Sequence, residues 1–132
     1  MLRQLLFAAS IAAAVLACRD ARMTSAFHEL GRFHARDMHT LYPDITHFVV
    51  TPESVMANRT AALAFSRGLC GEREEVCFVF FWTDGSRAAT GFPLSDREIS
   101  AMSASYRRNH STGADGFQCY NFGTVAERCG AR

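Results

Sequence analysis

Lysine is missing from the chain, and all 14 basic residues are arginine. Codon usage at high GC content accounts for that without appeal to function. A surplus of one charge is missing too: the formal net charge is +1, a balance that argues against nucleic acid as the main partner. No apolar run reaches the roughly 20 residues that a membrane-spanning helix needs. There is no internal repeat and no low-complexity tract. A Gly-x-Ser-x-Gly elbow for nucleophilic hydrolysis and a Cys-x-x-Cys pair for thiol redox chemistry are both absent.

The first segment that is present sets the compartment. Met1 to Gln4 is a short basic start, and Leu5 to Ala17 then runs without a charge. This reads as a secretory signal peptide, because so short a helix spans roughly 20 Å against a hydrocarbon core of ~30 Å. Its end, Val15-Leu16-Ala17-Cys18, resembles the lipobox of bacterial lipoproteins, whose cysteine is diacylated and becomes the first mature residue. Leu16 stands where a small residue is more usual. Ordinary cleavage after Ala17 is the other route, since Val15 and Ala17 also satisfy the small-residue rule. Five cysteines favour the lipid, because modifying Cys18 leaves an even number for disulfides in an oxidising compartment. Arg19 follows, where lipoproteins retained in the inner membrane carry aspartate. The division expected is a signal peptide over 1–17, a lipidated cysteine and polar tether over 18–25, and one small domain over 26–132.

Within that domain the pattern predicts helix, strand, helix, strand, helix, strand. Phe27, Leu30, Met38 and Leu41 fall on one helical face from Ala26 to Leu41, with His34 among them. Ile45 to Val50 is β-branched and reads as a strand. Thr51-Pro52-Glu53 has the chemistry of a helix start, and the helix should run to Arg67 with Gly68 ending it in left-handed geometry. Val76 to Trp82 is the most apolar stretch of the mature chain and reads as a central strand, with helices on one face and loops or aromatics on the other. Ser95-Asp96-Arg97-Glu98 is a capping box for a helix carrying Ile99, Met102 and Tyr106 and ending at Asn109. Phe117 to Phe122 is a last short strand. The fold class expected is α+β: a small three-stranded sheet, its strands joined by helical connections that permit parallel pairing, with two or three packed helices and disulfide staples.

Leu69-Cys70, Cys77-Phe-Val-Phe-Phe-Trp82, Phe92-Pro93-Leu94-Ser95-Asp96, Ala104-Ser-Tyr-Arg-Arg-Asn109 and Cys119 together resemble a group of short, uncharacterised bacterial exported proteins. Their recurring pattern is C…CxVxFW…YxRN…C. The resemblance covers Val49 to Cys119, implies an exported domain of this layout, and brings no activity with it. His28, His34, His39 and Cys129 lie outside it.

Candidate chemistry is sparse. His34 and Asp37 are spaced to share a metal if His47 supplies a third ligand, although zinc sites usually show tighter spacing. His28 and His39 would sit ~16 Å apart along one helix, too far to hold one ion. Of the three pairings open to four cysteines, the local one, Cys70–Cys77 with Cys119–Cys129, is favoured over a tie between the C-terminal tail and the Cys70 loop. Trp82, Tyr106, Arg107 and Arg108 make a candidate patch for an anion or a glycan. Nothing in the sequence calls for a cofactor. Two functions are therefore carried forward. The first is a non-catalytic envelope module, held to the membrane by lipid and presented to another envelope protein or a glycan. The second is a small hydrolase or metal-dependent enzyme that uses the histidines of the first helix, and it requires two or more of them to converge with an acid.

The lipobox generates a direct expectation. In a bacterial host, intact mass of the membrane fraction gives a diacylated or triacylated chain beginning at Cys18, its other four cysteines alkylated only after reduction. An unlipidated chain with free thiols would overturn it.

Overall fold

The computed structural model describes residues 26–34 and 44–120. Five strands form one mixed sheet in the order β1-β2-β3-β4-β5: His28–His34, Asp44–Val50, Val76–Trp82, Ala104–Asn109 and Ala114–Cys119. β2 and β3 are parallel, and the other three neighbouring pairs are antiparallel. Among the described residues the helices are α1 (Glu53–Met56), α2 (Arg59–Leu69) and α3 (Asp96–Ala101), with one 3-10 turn at Gly85–Arg87. The α+β character stands, but the expected three-stranded sheet is corrected to five strands.

β3 makes the two faces of the sheet. Val76, Cys77, Val79, Phe81 and Trp82 are buried and Phe78 and Phe80 are half-buried, so both faces of this strand meet protein. On one face Val79, Phe81 and Tyr106 pack with Val49 and Phe117 under Met56 and Ala62 of the helices. Phe27 stacks on Phe65 there, with ring centroids 4.4 Å apart. On the other face Phe48 and Trp82 lie with Ala88, Ala89 and Met102, and Phe33, Phe92 and Leu94 close around them.

Two added strands come from segments whose sequence reads as helix. In β1 the Gly31 backbone lies under the Phe33 ring, and a Cβ at Gly31 would meet ring carbons at 2.7 Å. Glycine weakens a helix by about 1 kcal/mol relative to alanine, and here it admits an aromatic lid that helical geometry does not form. The pairing shifts between Glu29 and Gly31, a bulge with Leu30 as the extra residue. The rest of the expected first helix lies outside the described residues.

The helix expected from Ser95 to Asn109 divides after one and a half turns. Its capping box is present: Ser95 Oγ accepts from the Glu98 N–H while Glu98 Oε2 accepts from the Ser95 N–H. α3 stops at Ala101, and Ala104 to Asn109 pairs with β3. Ala104 and Tyr106 are buried while Arg107 is exposed, so a period of two coexists in this segment with the helical spacing of Ile99, Met102 and Tyr106, and the pairing with β3 selects it.

The crossover helix is also split. Asn58 accepts from the Ala61 N–H and starts a second helix. Thr51 does not cap α1: its N–H donates to Trp82 O, while its buried hydroxyl has no partner among the described residues. Gly68 is helical, and the helix ends at Cys70 in extended geometry, where a disulfide ties it to Cys77. The last strand begins at Ala114, three residues before its expected start at Phe117, and Tyr120 follows it with its N–H on Ser103 O.

Trp82 is fully buried, with its indole N–H donating to Glu98 O at 2.9 Å. Trp82→Ala is expected to cost about 3–5 kcal/mol, a large share of the roughly 5–15 kcal/mol that holds a domain folded. Trp82→Phe should cost about 1–3 kcal/mol, because it keeps a ring against Phe48 and leaves the Glu98 carbonyl unpaired. Urea unfolding midpoints of the two variants check the order.

Candidate functional site

Strand alternation and register place the side chains of the second face in rows. Phe78, Arg107 and Gly116 are cross-strand partners in one row, and Phe80, Ser105 and Gln118 in the next. Trp82 continues the Phe78–Phe80 line, and Tyr120 lies beyond Gln118. The segment from Thr83 to Leu94 covers the Trp82 end through Ala88, Ala89 and Phe92. Toward Phe78 the cover stops, leaving an open groove of about 670 Å³ lined by Phe78, Phe80, Ser105, Arg107, Gln118 and Tyr120 among others.

The floor of the groove is aromatic. Phe78 and Phe80 have ring centroids 6.0 Å apart, and Phe80 leads on to Phe48 at 6.1 Å and Trp82 at 6.5 Å. The Arg107 guanidinium lies 5.7 Å from the centre of the Phe78 ring, a contact that holds the cation without using its N–H donors. No carboxylate pairs with Arg107 among the described residues. On the far side a polar chain links Ser105 Oγ to Tyr120 Oη at 2.8 Å, and Tyr120 Oη donates to Gln118 Oε1 at 3.4 Å. The groove thus offers apolar rings, neutral hydrogen-bonding groups and one cation, the mixture found in small-molecule sites, whose volumes run roughly from 300 to 1,000 Å³.

The expected patch of Trp82, Tyr106, Arg107 and Arg108 is divided by the strand period. Arg107 lines the groove, and Trp82 lies buried on the same face. Tyr106 and Arg108 point to the helix face. Tyr106 is fully buried, and burial raises its hydroxyl pKa; that hydroxyl has no hydrogen-bond partner among the described residues. Arg108 donates to Gly71 O and so braces the disulfide loop. Phe78, Phe80, Ser105, Gln118 and Tyr120 are the groove residues that the linear pattern did not single out. The signal available was the period-two line Phe78, Phe80, Trp82 within β3.

The proposed metal ligands do not form a set. His47 is buried, and its Nδ1 donates to Glu29 Oε1 at 2.6 Å. His34 ends β1 opposite Ile45, and Asp37 lies outside the described residues. Among the described residues no three His, Cys, Asp or Glu side chains are grouped to hold an ion. His28 is paired with Val50, which lies three residues from His47 along β2, so it faces the side opposite His47. Over His28–His34 the helix that the enzyme reading relied on is a strand, and its remainder from 35 to 41 lies outside the described residues. Of the expected disulfides, Cys70–Cys77 is present. Cys119 is also disulfide-bonded, while Cys129 and the lipidation candidate Cys18 lie outside the described residues. Set against protein-family models, curated proteins and solved structures, the chain matches none.

One ion pair fastens the strand behind the groove. Arg67 of α2 donates through Nε and Nη2 to Asp115 of β5, with a shortest distance of 2.7 Å. This hydrogen-bonded guanidinium holds the Asp115 carboxyl below the usual carboxylate range. A depressed native pKa gives stability that is present above the unfolded value and lost as pH falls through the folded one. Both side chains are more than a third exposed, so solvent screens the pair and its contribution to stability is small. Asp115→Asn is therefore expected to be slightly less stable than wild type at pH 7, with the gap closing as pH drops below about 4. Paired urea titrations at pH 7 and at low pH measure it.

Proposed function

We propose that this protein is an exported envelope module, anchored through lipid at Cys18, that binds a ligand on the open face of its sheet and performs no chemistry on it. The observation that carries this reading is the groove over Phe78 and Phe80, with the Arg107 cation at its rim and no carboxylate paired with it among the described residues. Large apolar side chains left half-covered on one face of an otherwise packed sheet are a cost to a domain unless something covers them, and such patches mark binding surfaces. The opposite face is covered by the helix layer, beneath which Val79, Phe81 and Tyr106 are all fully buried.

Rigid positioning supports binding at this place. The floor belongs to the central strand, hydrogen-bonded on both sides. The bordering hairpin β4–β5 is tied back by the Arg67–Asp115 pair and by Arg59 Nη2, which donates to Phe117 O at 3.3 Å. A tether of seven residues, Arg19 to Ser25, between Cys18 and the domain would stand this face off the membrane while keeping it near the envelope surface.

Amide chemical shifts of the full chain, titrated with a small set of aromatic acids, sugars and dipeptides, test this reading. Saturable shifts should cluster at Phe78, Phe80, Ser105, Arg107, Gln118 and Tyr120, and Phe78→Ala should weaken every ligand that causes them. Saturable shifts clustered elsewhere, or none at all, would overturn it.

A further inference from the structure

Resting on the reading of the open face as a ligand groove, we infer that its ligand is an acidic saccharide: a pyranose carrying a carboxylate, its C–H face on Phe78 and Phe80 and its carboxylate on Arg107. Each part of the groove has a counterpart in that ligand. Two half-buried phenylalanine rings, with centroids 6.0 Å apart and planes tilted by 49°, form a shallow apolar trough about the width of a sugar ring. Gly116, the cross-strand partner of Arg107, is exposed, and even an added Cβ there would meet nothing within 4 Å. The space across from the guanidinium is therefore open to a ring.

The polar rim separates this ligand from its competitors. Ser105, Gln118 and Tyr120 are neutral groups that both donate and accept, the complement of a row of sugar hydroxyls. An alkyl carboxylate would satisfy Arg107 and the rings, yet it would cover the Gln118 amide N–H groups and the acceptor sites left over from the Ser105–Tyr120–Gln118 bonds without pairing them, which is costly. A polyphosphate would need more cations than the single arginine lining the groove. One carboxylate is the charge that one guanidinium with uncommitted N–H donors recognises, by paired hydrogen bonds.

The test is a titration of the full chain in detergent with three probes, read by amide shifts and by calorimetry. The probes are a tetrasaccharide alternating glucuronate with N-acetylglucosamine, the neutral N-acetylglucosamine tetramer, and octanoate. The acidic tetrasaccharide should shift Phe78, Phe80, Arg107 and Gln118 and bind roughly tenfold more tightly than the neutral one. Arg107→Gln, an exposed position, should bring the two saccharides to parity, and Gln118→Ala should weaken both. Equal affinity of wild type for the two saccharides would overturn the inference while leaving the groove as a binding site. So would octanoate shifting these signals when neither saccharide does. If no probe moves them, the acidic saccharide falls, and the broader fragment titration judges the groove separately.

Discussion

The parallel pairing of β2 with β3 is the constraint on which the rest of the fold depends. Parallel neighbours cannot be joined by a tight turn, so the chain must leave β2, cross one face and return. α1 and α2 are that crossover, and they become the layer that buries Val79, Phe81 and Tyr106. The return is fixed covalently: α2 ends at Cys70, and its disulfide to Cys77 holds the end of the helix against the second residue of β3. Both cysteines are almost wholly buried, so the link belongs to the helix-face core rather than to the surface loop it closes.

The groove follows from how unequally the two faces are covered. The crossover lays helices over one face. The connection from β3 to β4 has to cover the other with the short segment from Thr83 to Leu94, a 3-10 turn and α3. That connection reaches Trp82 and Phe48 but not Phe78. The open floor is thus a geometric consequence of a strand apolar on both faces meeting a cover shorter than itself. The antiparallel hairpin β4–β5 then extends the sheet and supplies the polar border. Because alternate residues of β4 face opposite ways, Ser105 and Arg107 border the groove, whereas Tyr106 and Arg108 serve the core and the disulfide loop.

What the sequence disclosed were features set by neighbours in the chain: the apolar β3, the capping box at Ser95, and the Cys70–Cys77 link. β1 and β4 escaped because their residues satisfy two periods at once, and only pairing with another strand selects between them. His28 to His34 carries apolar residues at helical spacing, but Gly31 under the Phe33 ring and the register with β2 make it a strand. Ala104 to Asn109 is decided the same way by β3. The groove was less legible still. Phe78, Arg107 and Gly116 become neighbours only through two antiparallel registers, so no local motif could bring them together. Arg107 was named for its charge, without the means to separate it from Arg108.

That separation distinguishes the arginines of the helix side, each held by a hydrogen-bond partner, from Arg107 on the open face. Arg67 is locked to Asp115, Arg59 donates to the Phe117 carbonyl, and Arg108 donates to the Gly71 carbonyl. All three lie on the helix side, where the guanidinium fork bridges separate elements and its desolvation is offset by hydrogen bonds. Arg107 alternates away from them onto the open face and rests on a ring that takes none of its donors. Its neighbours explain why it is not paired there: Gly116 opposite has no side chain, and Ser105 and Gln118 in the next row are neutral. A cation kept beside apolar rings, with no carboxylate partner among the described residues, gains little for folding, and its place follows from the strand alternation that sets it apart from Arg108.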